Sequence, residues 1–353
     1  MRRQLEKAIA ASASDLHLTV GAPPILRIDG EMILMDEPPL TPEHSRELIY
    51  AMMTEEQVQH FEREWELCFS MNIPGSGYFR ITVYYRQRNV EAAVRIGRDE
   101  VRPIADLGLP LVLEDLTRKT NRLNLITGPT GSGKTTTLNT LIDTINRERR
   151  CKIITVEDPI EYVHKNVKSI VVQQEIGSDA KSFSKALIHI LRQDPNVIGI
   201  GELRDLETIG AALIAAETGH LVIATLHSND CPQTVNRIVD VFPERQQQQV
   251  RYQLAMTLRA IINQRLLARA DEKGRVLAYS LLIGNTAVAS LIRENKLAQV
   301  QNTMLSGKKE GMVVLDDTLR DLYQRAVISY DTALSHASGP GALLKSGVRP
   351  SGV

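Results

Sequence analysis

The alternation of apolar and polar residues changes along the chain and divides it into two parts. Up to about residue 100 the pattern has the two-residue period of half-buried strands, interrupted by Gly and Pro. It predicts strands at 16–20, 25–28, 78–86 and 90–96, and a helix at 41–65. Asp29-Gly30 favours a hairpin turn, and Thr41 followed by Pro42 is typical of a helix start. We therefore expect a small α+β domain at 1–100.

Beyond residue 121 apolar runs alternate with helical segments, which indicates a parallel sheet. The predicted strands are 123–127, 152–156, 169–172, 197–200 and 221–225, and helices are predicted at 135–147, 181–192 and 206–217. After about residue 243 the pattern predicts mostly helix, with one strand near 275–283. A linker is predicted at 101–121, and the Gly-, Ser- and Pro-rich stretch 339–353 predicts a disordered tail. The fold class is therefore α/β.

Composition and charge narrow the function classes. The 353 residues are 43% hydrophobic, and 42 basic side chains balance 42 acidic ones, so the basic excess typical of nucleic-acid-binding proteins is missing. The three cysteines, Cys68, Cys151 and Cys231, are too few and too scattered for a disulfide framework or a zinc site. No segment approaches the roughly 18 uninterrupted apolar residues of a membrane span, and the charged N-terminus does not resemble a signal peptide. We expect a cytoplasmic protein without nucleic-acid partners.

The strongest motif fits GxxxxGK[ST] in full. It reads Gly128-Pro129-Thr130-Gly131-Ser132-Gly133-Lys134-Thr135, between a predicted strand and a predicted helix. Glycines let backbone N–H groups turn toward a phosphate, and the helix N-terminus adds positive charge. Lys134 is expected to reach the β- and γ-phosphates, and the Thr135 hydroxyl to bind Mg²⁺, with Thr136 beside it. The motif predicts ATP and Mg²⁺ as cofactors, because a chance glycine-rich turn would lack this strand–helix context.

Two acidic clusters follow at predicted strand ends. Glu157, Asp158 and Glu161 come after the strand at 152–156, and Glu202 follows the apolar strand at 197–200 as in a Walker B motif. An open parallel sheet binds its ligands at the carboxyl ends of its strands. A lone Glu is usually an ordinary surface charge. Their position downstream of the phosphate loop favours a catalytic role instead.

Four segments in this order resemble the secretion-ATPase superfamily, which powers type II and type IV secretion and type IV pili. They are the P-loop, an Asp box at 155–162, a Walker B region at 192–205 and a His box at 218–227. The match extends over most of residues 13–306. The resemblance implies a PAS-like α+β domain at 1–100. It also implies a RecA-like P-loop ATPase core with a helical C-terminal part at 122–338.

Within the superfamily the chain resembles the PilT branch of pilus-retraction motors. The branch's opening segment stands at 13–18, and three scattered cysteines cannot supply the tetracysteine zinc element common in pilus-extension and type II secretion relatives. Residues 291–294 are similar to the end of the AIRNLIRE motif linked to retraction. Ala289 and Ser290 replace the first Arg and the Asn of that motif.

The resemblance implies roles for individual residues. Glu161 corresponds to the general base that orients water, and Glu202 to the carboxylate that holds Mg²⁺. Glu157 and Asp158 are placed among the nucleotide-binding residues. His227 corresponds to a sensor of the γ-phosphate, while His220 is expected to brace the fold. Judged from the residues alone, either histidine is equally compatible with a packed, hydrogen-bonded side chain.

Positive charge for the transition state is implied to come from Arg80 and Arg95 in the N-terminal domain, although strand-surface arginines are common. The resemblance also implies a homo-hexamer at the cytoplasmic face of the inner membrane. There it would act on a membrane platform protein and, indirectly, on pilin.

The leading hypothesis is ATP-driven pilus retraction. A pilus-assembly or type II secretion ATPase is the alternative within the superfamily. Two other classes, a nucleotide-binding regulator and a nucleic-acid translocase, are disfavoured by the full set of acidic residues and by the neutral charge.

Overall fold

The computed structural model describes residues 1–11, 13–28, 30–73, 77–97, 101–271 and 274–339. Internal contacts divide the chain into two compact units, one formed by Met1–Glu100 with Pro159–Val163 and the other by Val101–Asp158 with His164–Val353. None of the helices in these ranges has both the length and the apolar character needed to cross a membrane. Asp29 of the predicted hairpin, and all of the predicted tail except Gly339, lie outside the described residues.

The first unit is built around an antiparallel sheet. Its strands, in the described part of the chain, are β1 Asp15–Leu18, β2 Ile25–Ile28, β3 Glu31–Leu34, β4 Glu66–Ile73, β5 Gly77–Arg86 and β6 Asn89–Ile96, and its helices are α1 Arg2–Ala10, α2 Pro42–Tyr50 and α3 Glu55–Glu64. The strand order is β3-β2-β1-β6-β5-β4. One face packs against the helices through residues such as Leu16, Ile81 and Val94. The other face carries polar side chains.

The helix predicted at 41–65 is wrong in one respect, because it is two helices. Thr54 starts the second helix with a capping box: its hydroxyl accepts from the backbone N–H of Gln57, and the Gln57 side chain accepts from the backbone N–H of Thr54. β3 was missed because all four of its residues are exposed and therefore show no apolar alternation. β4, which begins directly after the predicted helix, was not predicted.

The second unit contains a mixed sheet. Its strands, among the residues described, are β7 Arg122–Thr127, β8 Lys152–Glu157, β9 Ile170–Glu175, β10 Val197–Ile200, β11 Leu221–Leu226, β12 Leu258–Ala268 and β13 Arg275–Ile283. Its helices are α4 Val112–Thr117, α5 Lys134–Glu148, α6 Phe183–Ile190, α7 Leu206–Glu217, α8 Cys231–Asp240, α9 Glu244–Thr257, α10 Thr286–Arg293, α11 Val300–Ser306, α12 Leu315–Gln324 and α13 Tyr330–His336. The order is β13-β12-β7-β11-β10-β8-β9, and only β13 runs antiparallel to its neighbour.

β12 corrects the expectation that the chain is mostly helical after residue 243. Its eleven residues pair with β7 on one side and β13 on the other. The mainly apolar stretch 258–262, which includes Arg259, fits a strand covered on both faces as well as it fits a buried helix, so periodicity alone cannot separate the two. As a result β7, which leads into the P-loop, is an interior strand.

The predicted linker at 101–121 belongs to the second unit and is partly regular. It contains a 3-10 turn, Ala105–Leu107, followed by α4. Ile104, Leu109 and Leu113 are buried in a cluster with β7, β12 and α5. These apolar residues anchor the segment to the sheet and make it part of the core.

The parallel strands bring several segments to one edge of the second sheet. In the register, Ile200 lies opposite Val156 and Ala224, and Leu226 lies opposite Thr127. The P-loop begins at this carboxyl edge, the Asp box extends across it, and the Walker B region and the His box end just beyond it.

Candidate functional site

The P-loop has a backbone that requires glycine. Gly128, Gly131 and Gly133 have φ values of +145°, +74° and +89°. A Cβ on Gly128 would lie 2.4 Å from the carbonyl oxygen of Gln264, on β12. Side chains are thus excluded where the backbone must turn, and α5 begins directly after Gly133. Its free N-terminal N–H groups face the concave side of the loop, which suits an anion.

Lys134 lies inside the loop and is almost completely buried. Its Nζ donates to the carbonyl oxygens of Gly128 at 3.0 Å and Pro129 at 2.9 Å, and lies 3.4 Å from Nδ1 of His227. Burial lowers the pKa of the Lys134 ammonium group, and the nearby carboxylate of Glu202 partly opposes this. A buried cation whose hydrogen-bond acceptors are neutral gains from a bound anion, because the anion adds countercharge.

The side chain of Ser132 supports the same assignment. It is buried, and its Oγ has no hydrogen-bond partner among the residues that the structure describes. A buried hydroxyl without a partner is uncommon, and a phosphate oxygen in the loop would provide one. The loop therefore fits the phosphates of a nucleotide. Thr135 lies in the first turn of α5, where a magnesium ligand is expected.

Glu202 and His227 meet beside the loop. Because an ammonium group only donates, Nδ1 of His227 accepts from Lys134, and Nε2 carries the hydrogen that faces Oε1 of Glu202 at 3.4 Å. Burial, with the charge of Lys134, lowers the pKa of the His227 imidazole, which favours this neutral tautomer. Lys134, His227 and Glu202 form one polar chain beyond the carboxyl ends of β7, β11 and β10.

Arg204 was not predicted as a site residue, yet it joins two of the predicted acids. Its Nε donates to Oε2 of Glu202 at 2.7 Å, and one terminal nitrogen lies 3.4 Å from Asp158. Hydrogen bonding to Glu202 raises the pKa of Arg204. The only sequence signal was its place two residues after Glu202, where alternate residues share one side of an extended chain. Thr225 donates to the carbonyl of Gly201 and so holds this segment to β11.

Glu157 differs from the other acids because it is buried, at 2% exposure. Its Oε1 accepts from the Thr155 hydroxyl at 2.7 Å and from Nε2 of Gln173 at 3.0 Å. These hydrogen bonds fix the carboxylate at the end of β8. Glu157 therefore lies at the strand end, as predicted, and its hydrogen bonds hold the carboxylate in one orientation.

A cleft of about 360 Å³ opens next to the loop and His227. It is lined by Gly128, Pro129, Thr130, His227, Ser228, Asn229, Gln233 and Arg237.

Strand β12 contributes two buried polar residues near the P-loop. Asn263 donates to Thr127 and to the carbonyl of Ser228, and Gln264 donates to Thr137 of α5. Sequence reasoning missed these contacts because it assigned this segment to helix.

Arg80, Arg95 and Glu161 belong to the first unit. Arg80 and Arg95 are direct cross-strand partners on β5 and β6, and Arg95 faces Asp15 on β1, with Nε 3.1 Å from Oδ1. Arg80 donates to Sγ of Cys68 at 3.3 Å. Glu161 lies in the five-residue segment that leaves the second unit after Asp158 and returns at His164. The structure thus brings Arg80 and Arg95 together in one unit and Lys134, Glu157, Asp158, Glu202 and His227 together in the other.

His220 lies away from the loop, at the start of β11. Its Nδ1 donates to the carbonyl of Ala215 at 3.0 Å, and its own carbonyl accepts from the backbone of Arg122. These contacts join the end of α7 to the sheet, consistent with the expected bracing role.

Comparison with known proteins supports this arrangement. The family model of the type II/IV secretion system proteins matches residues 106–346, more than half of the chain. The type IV pilus retraction ATPase PilT of Pseudomonas aeruginosa is 41% identical over 328 residues, covering 93% of this chain and 95% of that protein. A twitching motility protein of Neisseria gonorrhoeae is 39% identical over 314 residues, covering 89% and 84%.

Among solved structures, the pilus retraction motor PilT with bound ADP matches with a TM-score of 0.90 and 48% identity, over 96% of both chains. This confirms the predicted fold class, an N-terminal PAS-like domain followed by a RecA-like core. On the motifs, the fold and these matches, the chain belongs to the type II/IV secretion system protein family.

Proposed function

We propose that this chain is a motor ATPase that retracts type IV pili by coupling ATP hydrolysis to the removal of pilin from the pilus base. The observation that carries the proposal is the polar chain Lys134–His227–Glu202 beside the P-loop, with 3.4 Å at each step. The retraction ATPase PilT matches over almost its whole length, which favours pulling over assembly or secretion.

The residues of the loop bind and orient ATP. Backbone N–H groups of 130–135, in the loop and the first turn of α5, surround the phosphates, and Lys134 exchanges the carbonyls of Gly128 and Pro129 for phosphate oxygens. Thr135 and Glu202 are the residues that would hold Mg²⁺, which when bound would neutralise charge on the phosphate oxygens. His227 faces the γ-phosphate end, because it lies between Lys134 and Glu202.

Hydrolysis also needs a base and positive charge. We assign the base to Glu161, which takes a proton from the attacking water. Arg80 and Arg95 stabilise charge on the transferred phosphoryl group. In this assignment residues 1–100 form the domain that supplies the arginines. Residues 122–338 form the ATPase domain, and residues 101–121 connect the two in sequence.

The working assembly in this proposal is a homo-hexamer at the cytoplasmic face of the inner membrane. It acts on a membrane platform protein and reaches pilin only through that protein. Movement of one domain against the other during the ATP cycle supplies the mechanical step.

The proposal is tested in cells that produce Glu202→Ala in place of the native chain. We expect surface pili to accumulate and twitching to stop, because pili are still built but no longer pulled back. Bald cells would identify an assembly ATPase instead, and normal motility would exclude a motor role at this edge. Immunoblotting checks that the variant is present at the native level. Lys152→Ala, at the amino edge of the same sheet, serves as the matched variant.

A further inference from the structure

Helix α5, which follows the P-loop, carries two buried asparagines on one face. Asn139 and Asn146 are 1% and 0% exposed, and a spacing of seven residues places them two turns apart on the same side. Both bind the segment that returns from the Asp box at residues 164–169. Asn146 holds this segment by its backbone, accepting from Val167 and donating to the carbonyl of Lys165.

Asn139 makes a different pair of contacts. Its Nδ2 donates to the carbonyl of Thr135 at 3.0 Å, and its Oδ1 lies 2.7 Å from Nε2 of His164. Because Oδ1 can only accept, Nε2 of His164 carries the hydrogen. A flipped amide would place two acceptors together at Thr135, so both ends of the Asn139 side chain are fixed.

His164 extends the network to the Asp box. Its backbone N–H donates to Oε1 of Gln173 at 2.8 Å, and Nε2 of Gln173 donates to Glu157 at 3.0 Å. One continuous polar path therefore runs from the carbonyl of Thr135 to the carboxylate of Glu157. The path thus joins Thr135, which follows the P-loop lysine, to Glu157, the first acid of the Asp box.

The ring of His164 is suited to a neutral, fixed role. Its Nδ1 is buried and has no hydrogen-bond partner among the described residues. Burial lowers the pKa of the imidazole, because a second N–H would have no acceptor there. The ring therefore acts as a single donor aimed at Asn139, a geometry that a side chain used only for packing would not need.

We propose that Asn139 and His164 are positioning residues that hold Thr135 and Glu157 in one arrangement for the bound Mg²⁺-nucleotide. This inference rests on the proposed function and concerns only how the chain orients Thr135 and Glu157 toward the nucleotide. Residues that orient ligands of a metal site typically change metal affinity or activity by about 10–100-fold when they are removed.

The test compares purified Asn139→Leu, His164→Leu and His164→Gln with the control Asn146→Ala. For each protein we would measure kcat and KM for ATP, the Mg²⁺ concentration for half-maximal turnover, the Kd of a fluorescent ADP in EDTA, and the melting temperature. The Gln side chain places an N–H donor near the position of Nε2, so it should restore the bond to Asn139. Asn146→Ala loosens the same segment without touching Thr135.

We expect the two Leu variants to lower kcat, or to raise the Mg²⁺ requirement, by about 10–100-fold. Their affinity for ADP in EDTA should stay close to that of the wild type. His164→Gln should recover most of the loss, and Asn146→Ala should lower the melting temperature while turnover per folded protein stays unchanged.

Equal kinetic effects of Asn139→Leu and Asn146→Ala, or no difference between His164→Gln and His164→Leu, would overturn the inference. If Asn139→Leu does not fold, the two His164 variants decide. Failure of the proposed function is a separate result, since it would appear in the wild-type chain as absent hydrolysis of Mg·ATP, or in the Glu202→Ala cells as bald cells or normal motility.

Discussion

The two sheets of this chain place their chemistry in different ways. In β5 buried and accessible positions largely alternate, whereas every residue of β10 and β11 is buried. An antiparallel sheet with one covered face can carry functional side chains along the length of its strands. A parallel sheet covered on both faces can carry them only at the strand ends. The comparison explains why Arg80 and Arg95 lie within strands, whereas Glu157, Asp158 and Glu202 lie at the carboxyl edge of the second sheet.

The polar face of the first sheet shows this directly. Arg80, Arg95, Asp15 and Arg27 are cross-strand neighbours on β5, β6, β1 and β2. Asp15 pairs with Arg95 at 3.1 Å and lies 3.9 Å from Arg27. One carboxylate therefore faces two arginines, which leaves a net positive row on this face.

The largest effect is expected at the carboxyl edge of the second sheet. Lys134→Ala should abolish detectable ATP binding and turnover, because the only side-chain cation inside the described P-loop is lost. Lys152→Ala, at the amino end of β8, should change neither, since the Nζ of Lys152 donates to the carbonyl of Gln193, away from the P-loop. Equilibrium binding of a fluorescent ATP analogue measures both. Retained binding by Lys134→Ala would remove the P-loop assignment.

An intermediate effect is expected on the first sheet. Arg95→Ala should lower kcat by about 10²–10³-fold, the range for removing one donor that stabilises transition-state charge. Arg27→Ala is the matched control. Arg27 also faces Asp15, and its removal costs an ion pair worth roughly 0–1 kcal/mol and a hydrogen bond to the carbonyl of Gly30.

Steady-state kinetics and thermal unfolding of both variants separate the two roles. Equal kinetic losses for Arg95→Ala and Arg27→Ala would mean that the row acts through its total charge. Unchanged turnover in Arg95→Ala would remove that arginine from the mechanism.

The smallest effect concerns one histidine in each unit. Burial lowers the pKa of His17 on β1 and of His164 after the Asp box. With a folded pKa below the unfolded value of about 6.5, the unfolded chain binds more protons, so stability falls as pH drops below about 6.5 toward the lowered pKa.

Each substitution to Gln should therefore reduce the drop in melting temperature between about pH 7.5 and 5.5, by roughly 2–4 °C for each unit of pKa lowering. Differential scanning calorimetry at the two pH values measures it. An unaltered pH dependence in both variants would mean that neither histidine titrates on unfolding.

The sequence predicted the parts that obey local rules. The P-loop, the apolar strands β7, β8, β10 and β11, and helix α7 could be placed because motif, period and caps agree. β12 could not be placed, because an apolar run reads alike in a buried helix and a buried strand. The roles of Arg204, Asn139 and Gln173 could not be recognised, because each also bonds a distant residue, Asp158, His164 and Glu157 respectively, which it meets only when the sheet forms. The family was predicted correctly from four short motifs.

Glu161 comes after β8 of the second sheet in sequence, but its contacts place it in the first unit. Its role therefore bears on both units. The most direct test of the account is the rate of Mg·ATP hydrolysis by Glu161→Gln, measured together with its ATP affinity. We predict that affinity is retained while turnover falls by about 10²–10⁴-fold, as expected for loss of a general base. Turnover at the wild-type rate would contradict the assignment and move the base to Glu157 or Asp158.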